Sequence, residues 1–297
     1  MVTVALLPAG SVSDEAARLF FQQEDVQYKH HRLISDVFLS TANDISQYSV
    51  IPIENTIDGS VSLHMDWLVH EVDLPIQAEW IYPSNQNLIG RRSELVNEHG
   101  EYDFSRVKKI ISHPVAMSQC LKFIREYLPE DVEKEHVSST AESVRIVRDL
   151  PEQGVFAIGT KTAAVNNGLD VLVESVTDHQ NNYTRFFLVG NKPYTGRETA
   201  QMRTSILVTL PEDFPGALHQ VLSAFAWRRI NLTRIESRPT KKKLGSYYFY
   251  IEIKYSLNER LLQLALEEIT AIGCHVRVLG SYPCFTYDQL ITEQQMY

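Results

Sequence analysis

Residues 1–21 read MVTVALLPAGSVSDEAARLFF, and this stretch decides the fold class. Residues 2–7 form a short apolar run of strand length. Ser13 is then placed to cap a helix whose first turn carries Asp14 and Glu15, acids that suit the positive end of a helix. Ala16, Ala17, Phe20 and Phe21 give that helix one apolar face.

The same unit recurs outward from it. The pattern predicts a strand over 26–34, a helix over 36–47 and a strand over 49–53. Further on it predicts a strand over 107–111 and a helix over 114–128, with Pro114 at an early helical position where its missing N–H is harmless. Strands over 132–137 and 154–158 follow, each leading into a helix. This βαβα rhythm implies a mostly parallel sheet covered by helices on both faces. In such sheets ligands bind at the carboxyl ends of the strands. That points to Glu54-Asn55, Ser112-His113 and Gly159-Thr160.

Residues 191–202 are polar, contain Pro193 and Gly196, and read as a linker. Beyond them the pattern becomes strand 203–210, helix 215–228, strand 230–238, an alternating strand through Tyr247, Phe249, Ile251 and Ile253, helix 257–269 and strand 273–279. The order βαββαβ is that of a ferredoxin-like α+β domain. Two domains also fit a chain of 297 residues with 44% hydrophobic content.

Composition narrows the function. Twenty-eight basic against 37 acidic residues give a formal charge of -9, which disfavours nucleic acid or an anionic membrane as partner. The one basic run, Lys241 to Lys243, reads as a solvated loop. Cys120, Cys274 and Cys284 are odd in number and far apart, against a disulfide framework or a cysteine-rich zinc site. His30 and His31 are adjacent and would face opposite sides of a strand, so no metal is expected. No GxGxxG or Walker motif occurs, so no nucleotide cofactor is expected either. Residues 1–10 have no basic n-region and too short an apolar stretch for a signal peptide, so no secretory leader is expected, and no apolar run approaches the roughly 18 residues of a membrane span. A soluble cytoplasmic protein is expected.

Several short motifs then add up. Asn182-Tyr183-Thr184-Arg185-Phe186, Pro52-Ile53-Glu54-Asn55-Thr56-Ile57-Asp58-Gly59-Ser60-Val61, Ser112-His113-Pro114-Val115-Ala116-Met117-Ser118-Gln119-Cys120, Ser139-Thr140-Ala141-Glu142 and the stretch from Ala157 to Leu169 resemble the signatures of the prephenate dehydratase family, in the family order. Pro215-Gly216-Ala217-Leu218-His219 and Glu236-Ser237-Arg238-Pro239 resemble the phenylalanine-sensing motifs of that family's ACT domain. Departures are Leu7-Pro8-Ala9-Gly10-Ser11 for the usual glycine-proline opening, Val115 for a common glutamine and Thr56 for a frequent serine.

The resemblance implies a catalytic domain over 1–190 of two α/β lobes, similar to a periplasmic-binding-protein fold, with the active site between them. Lobe 1 would span about 1–80 and 172–190, lobe 2 about 81–171, the ACT domain 203–283 and a tail 284–297. The implied reaction turns prephenate into phenylpyruvate, carbon dioxide and water without metal or cofactor, because aromatisation drives it. Thr184 would hydrogen-bond the departing hydroxyl, and Arg185 would hold a carboxylate, with Phe186 beside it. Glu54 would either act as an acid or orient Asn55 and Thr184. Asn55 and Gln119 would donate amide hydrogen bonds, and Ser11, Thr160 and Ser112 would bind substrate or cap helices. His113 would have a minor role, and Cys120 would serve packing.

In the ACT domain, Gly216, Ala217, Leu218, Asn231 and Leu232 would receive L-phenylalanine, and Glu236, Ser237, Arg238 and Pro239 would carry the coupling surface. Feedback inhibition and a dimer or tetramer follow from the same resemblance. Rival readings are the same chemistry on arogenate and a non-catalytic amino-acid sensor. A fused chorismate mutase domain is not expected, since the first motif begins almost at residue 1.

Overall fold

The computed structural model describes residues 1–150, 153–212, 214–241 and 247–292. Lys242 and Lys243 of the basic run, and residues 293–297 of the tail, lie outside the described residues.

Lobe 1 is built on β1 (Val2–Leu6), β2 (Val26–His30), β3 (Tyr48–Asn55), the short β4 (Gly59–Ser60) and β5 (Ile76–Pro83). The chain then crosses into lobe 2, which holds β6 (Asn87–Gly90), β7 (Lys109–Ser112), β8 (Glu133–His136), β9 (Val155–Gly159) and β10 (Asp170–Val173). It returns to lobe 1 as β11 (Tyr183–Val189). The two crossings fall between Pro83 and Asn87 and between Val173 and Tyr183, a few residues later than the motif-based boundaries. Each sheet is mixed rather than mostly parallel. β1 runs parallel to β2 and β3, but the returning β11 is antiparallel to both β3 and β5. In lobe 2, β6 is antiparallel to β9 and β10. The crossing strands impose this, because each leaves or enters a lobe against the βαβ direction.

The second domain supplies β12 (Met202–Thr209), β13 (Leu232–Pro239), β14 (Tyr247–Ile253) and β15 (His275–Phe285), with helices Ala217–Ala226 and Arg260–Ala271. Its order β13-β14-β12-β15 is antiparallel throughout, as a ferredoxin-like βαββαβ domain requires. β15 is longer than the sequence pattern suggests. Its last residues pair with β5 of lobe 1, Cys284 opposite Glu79 and Phe285 opposite Trp80. Among the described residues, lobe 1 and the second domain therefore share one ten-stranded sheet.

Packing follows. On one face of lobe 1, Val4, Leu6, Trp80 and Phe186 bury against Ala16 and Phe20 of helix Val12–Phe20. Leu290 of the C-terminal helix Tyr287–Thr292 joins them. On the other face, Ile51, Ile53, Phe187 and Val189 pack with Val37 and Phe38 and with Leu207, Tyr250 and Tyr282 of the second domain. The tail and the second domain thus complete the lobe 1 core. The presumed linker is likewise docked: the Tyr194 ring lies 5.1 Å from Phe20, and the Tyr48 hydroxyl donates to the Pro193 carbonyl.

Two local expectations change. Ser11, not Ser13, caps the first helix, its Oγ accepting from Asp14 N, and Ser13 lies buried inside the helix. The helix expected over 114–128 is broken into Pro114–Ser118 and Leu121–Tyr127. The break has a cause: the Asp178 carboxylate accepts from Leu121 N and Lys122 N at 3.1 and 2.9 Å and starts a new helix there.

Candidate active site

The cleft between the lobes closes on the two crossing segments, and the polar residues cluster there. Thr184 lies at the start of β11, opposite Asn55 at the end of β3 and Tyr82 on β5. Asn55 Nδ2 donates to Thr184 Oγ1 at 3.1 Å and to Asn182 Oδ1 at 2.8 Å. Asn55 Oδ1 accepts from Ile57 N and Asp58 N, which fixes the turn into β4. Ser84, in the first crossing, places its hydroxyl 2.5 Å from that of Thr184. Asn182, in the second crossing and almost fully buried, donates to the Ser84 carbonyl and to Gln119 Oε1. Gln119, from lobe 2, in turn donates to Asp58 of lobe 1 at 2.5 Å.

A hydroxyl has one proton and two acceptor sites. Asn55 fills one acceptor site of Thr184 Oγ1. The Ser84–Thr184 hydroxyl pair can run in either direction, and the one in which Ser84 donates leaves the Thr184 proton for a group in the cleft. Such chained donors strengthen one another. Thr184, Asn55 and Gln119 are therefore brought together as the motifs suggested. Asn182, Ser84 and Asp58 were not nominated. Asn182 lies inside the motif of residues 182–186, where Thr184 and Arg185 carry the more evident chemistry. Ser84 carried no motif signal.

Arg185, Glu54 and Phe186 do not join this group. Successive side chains of a strand point to opposite faces. Arg185 lies on the face turned to the second domain, its guanidinium 5.6 Å from the Phe187 ring. It makes a two-pronged pair with Glu252 of β14 at 2.7 and 2.5 Å, and contacts Glu54 at 3.0 Å and Glu79 at 3.5 Å. The expectation that Arg185 holds a substrate carboxylate is corrected by strand alternation, and with it the nomination of Glu54, which pairs with Arg185 and Arg234. Phe186 is fully buried against Trp80 in the lobe 1 core, so it touches no ligand. Ser112 Oγ donates to the Ile158 carbonyl, and Thr160 Oγ1 donates to the Gly10 carbonyl while capping helix Lys161–Asn167. Both are fully buried, and their place is structural. His113 caps helix Pro114–Ser118 through Nδ1. The buried Cys120 thiol is pushed up to about 12, chiefly by desolvation and then by Asp178, and stays an unreactive packing group.

Ser11 lies elsewhere in the cleft. It lines a cavity of about 440 Å³ whose walls come from both lobes: Leu7, Pro8 and Arg32 on one side, Ser139, Glu142 and Arg145 on the other. Helices begin at Val12 and Thr140, so two sets of free N–H groups and two guanidiniums border this space, a setting suited to an anion. The lobes also meet at Gly10, which has φ +76 and lies so close to Ala163 that a Cβ would fall 3.0 Å from its Cα.

In the second domain, alternation along β13 turns Arg234, Glu236 and Arg238 toward the catalytic domain. Arg234 Nη2 and Ser60 Oγ are 2.5 Å apart, Ser60 Oγ donates to Glu236 at 3.3 Å, and Arg238 pairs with Asp66 at 2.5 Å. Ser237 and Pro239 are exposed on the alternate positions, as are Gly216 and Asn231, while Ala217 is buried and Leu218 and Leu232 are half-buried.

A two-lobed α/β domain with a polar cluster at its hinge, joined through a shared sheet to a βαββαβ domain, defines an enzyme carrying an ACT-type regulatory module. The family model for prephenate dehydratase matches residues 4–194, and that for the ACT domain matches 204–273. The prephenate dehydratase of Methanocaldococcus jannaschii is 39% identical over 94% of this chain and 97% of its own length. That of Bacillus subtilis is 34% identical over 94% and 97%. The crystal structure of a prephenate dehydratase from Arthrobacter aurescens in complex with L-Phe superposes with a TM-score of 0.81 at 30% identity, covering 95% of this chain and 90% of that one. The chain belongs to the prephenate dehydratase family.

Proposed function

We propose that this protein converts prephenate to phenylpyruvate, carbon dioxide and water in the making of L-phenylalanine, and that L-phenylalanine restrains it through the ACT domain. The observation that carries the reading is the Thr184 hydroxyl, held at the hinge of the cleft by the Asn55 amide and the Ser84 hydroxyl.

Prephenate carries a ring carboxylate, a pyruvyl carboxylate and a ring hydroxyl. In the reaction the ring carboxylate leaves as carbon dioxide, and its bond electrons complete the aromatic ring. The hydroxyl departs with one added proton as water. Thr184 Oγ–H is directed at that hydroxyl and stabilises the negative charge that grows on it, as preorganised donors do. An alcohol is too weak an acid to give up its proton outright, so the proton that leaves in water is relayed from solvent. Gln119 and Asn182 fix the hinge that holds Thr184 and Asn55. The helix starts after Ser11 and Ser139, with Arg32 and Arg145 beside them sharing Glu142 at 3.8 and 3.6 Å, suit the carboxylates.

For regulation, Gly216 opens helix Ala217–Ala226 at φ +95 with clear space where a Cβ would project, so the L-phenylalanine carboxylate can approach the backbone N–H groups there. Leu218, Asn231 and Leu232 would enclose its remainder, with Ala217 packing the helix start beneath. Glu236 and Arg238, with Ser237 and Pro239 between and beside them, would pass the signal to the hairpin at Ser60. β13 ends the sheet with its outer edge unpaired among the described residues, which suits side-by-side pairing of two copies into a dimer, or a tetramer built from it. No described helix is long and apolar enough to cross a membrane, and we place the work in the cytoplasm.

The test is steady-state turnover of prephenate by the purified chain, with and without L-phenylalanine. Phenylpyruvate formation that L-phenylalanine suppresses supports the reading. Turnover of arogenate alone would replace it with the amino-acid substrate, and inactivity on both would favour a sensor.

A further inference from the structure

Thr184 and Asn55 meet on the cleft face of β11 and β3. Their chain neighbours Arg185 and Glu54 meet on the opposite face, in the same register. That second pair lies under the ACT domain and is wired into it. Glu252, 1% exposed, grips Arg185 with both carboxylate oxygens at 2.7 and 2.5 Å and accepts from the Tyr250 hydroxyl at 2.7 Å. Arg203 of β12 contacts Glu252 at 3.3 Å and Glu79 at 2.7 Å. Arg234 of β13 stands 3.7 Å from Glu252 and 3.5 Å from Glu54. Three guanidiniums and three carboxylates thus interlock between the active-site strands and the regulatory sheet.

We infer that Glu252 of the ACT domain is a positioning residue for the dehydratase reaction, acting through Arg185 to fix the place of Thr184. The inference rests on the dehydratase reading given above. Its physical basis is the ladder at that point. Between Arg185 and Phe186 the register of β11 against β3 slips by one residue, so Ile53 has no partner opposite it. Such an irregularity loosens the pairing of β11 to β3, while its pairing to β5 runs unshifted from Tyr183 to Leu188, so on the β3 side contacts between side chains help to aim the strand. Here the aiming contact is the planar fork of Arg185 on Glu252, a geometry with direction as well as attraction. Burial works against the Glu252 charge. The positive Arg185, its hydrogen bonds, Arg203 and the Tyr250 hydroxyl outweigh it and hold the carboxyl below the usual range, so it is ionised when the enzyme works. Glu79 and Glu54 also touch Arg185, but Glu79 does so through one oxygen at 3.5 Å and Glu54 is partly exposed. The ACT domain therefore builds the active site as well as sensing for it.

The experiment uses the full chain, once the wild type is shown to turn over prephenate. Failure of that first step would count against the dehydratase reading and not against this one. Glu252→Gln keeps shape and removes charge. A displacement of about 1 Å at a reacting group lowers rate by about a hundredfold. Glu252→Gln is therefore expected to lower kcat by about 10- to 100-fold with KM changed less than about threefold, while L-phenylalanine still binds by calorimetry. Arg228→Lys, at an ion pair with Glu268 that lies within the second domain and touches none of these groups, is expected to leave kcat near that of wild type whatever its effect on Tm. A merely structural Glu252 would behave as Arg228 does. Folded Glu252→Gln enzyme, judged by near-ultraviolet dichroism, with kcat within about twofold of wild type would overturn the inference. Should that variant not fold, Glu252→Asp, which keeps the charge at shorter reach, is judged by the same kcat criterion.

Discussion

Thr184 and Arg185 are neighbours in β11, yet one faces the interlobe cleft and the other forms a two-pronged ion pair with Glu252 of the regulatory domain. A single peptide unit separates the chemistry from the surface that receives regulation. Any shift of the ACT sheet against lobe 1 must act on this strand, because the two share backbone pairing at Phe285 and a buried core through Phe187 and Tyr282.

Asn182 joins Asn55, the Ser84 carbonyl and Gln119 from an almost fully buried position. Asn182→Ala removes one hydrogen-bond partner from each of these groups, at about 1–3 kcal/mol where a buried group is left unsatisfied. The expected result is a lower Tm by thermal unfolding together with a kcat on prephenate reduced at least about tenfold, since Asn55 loses one of its two anchors.

A catalytic fragment ending near residue 195 is expected to fail as an independent domain. A polar linker over 191–202, taken by itself, favours the opposite: a fragment that keeps some activity and loses its response to L-phenylalanine. The structure shows why that expectation changes: the cut removes Phe285 and Leu290 from the lobe 1 core and strips Leu207, Tyr250 and Tyr282 from its other face. The measurement is soluble yield and dichroism of residues 1–195 beside the full chain, and a folded, active fragment would refute the point. A milder probe is Gly280→Ala, whose Cβ would lie 2.4 Å from the Ile76 carbonyl oxygen and push β15 off β5. It should lower Tm measurably with the fold retained.

Acid stability should report Asp14. Burial opposes its charge, but hydrogen bonds from His30, the Gly10 N–H and Arg18 outweigh burial and hold the carboxyl below its ordinary value of 3.8. A carboxyl depressed in the folded state contributes stability that is present above its unfolded value and lost as pH falls through the folded one. Tm should therefore drop in the window at and below about pH 4. Asp14→Asn should be less stable at pH 7 and show a smaller fall over that window, read from thermal melts at stepped pH.

Much of the fold was legible because its elements obey local rules. The strand–helix unit of residues 1–21 and the alternation of Tyr247 to Ile253 stand almost where periodicity puts them. Thr184, Asn55 and Gln119 lie in the quoted motifs, and Asn55 bonds Thr184 directly while Gln119 reaches Asn55 through Asn182. The partners of Arg185 were not legible. Its neighbours in space come from β5 and β14, far along the chain, and Glu252 reads locally as an outward residue of an alternating strand although it is buried. Only the docking of one sheet onto another decides that. Ser84 and Asp178 were missed for a like reason, since a hinge residue and a mid-chain helix cap act on segments remote in sequence.

The most direct test of the account is Thr184→Val in the full chain, which replaces the hydroxyl by a methyl of nearly the same shape. Initial rates on prephenate, without added metal or nucleotide, would be compared with wild type and with Thr184→Ser. The account expects kcat to fall by about 10²- to 10³-fold in the valine variant and to be largely kept by serine. A valine variant that retains wild-type turnover would contradict the role of Thr184 and the site built around it.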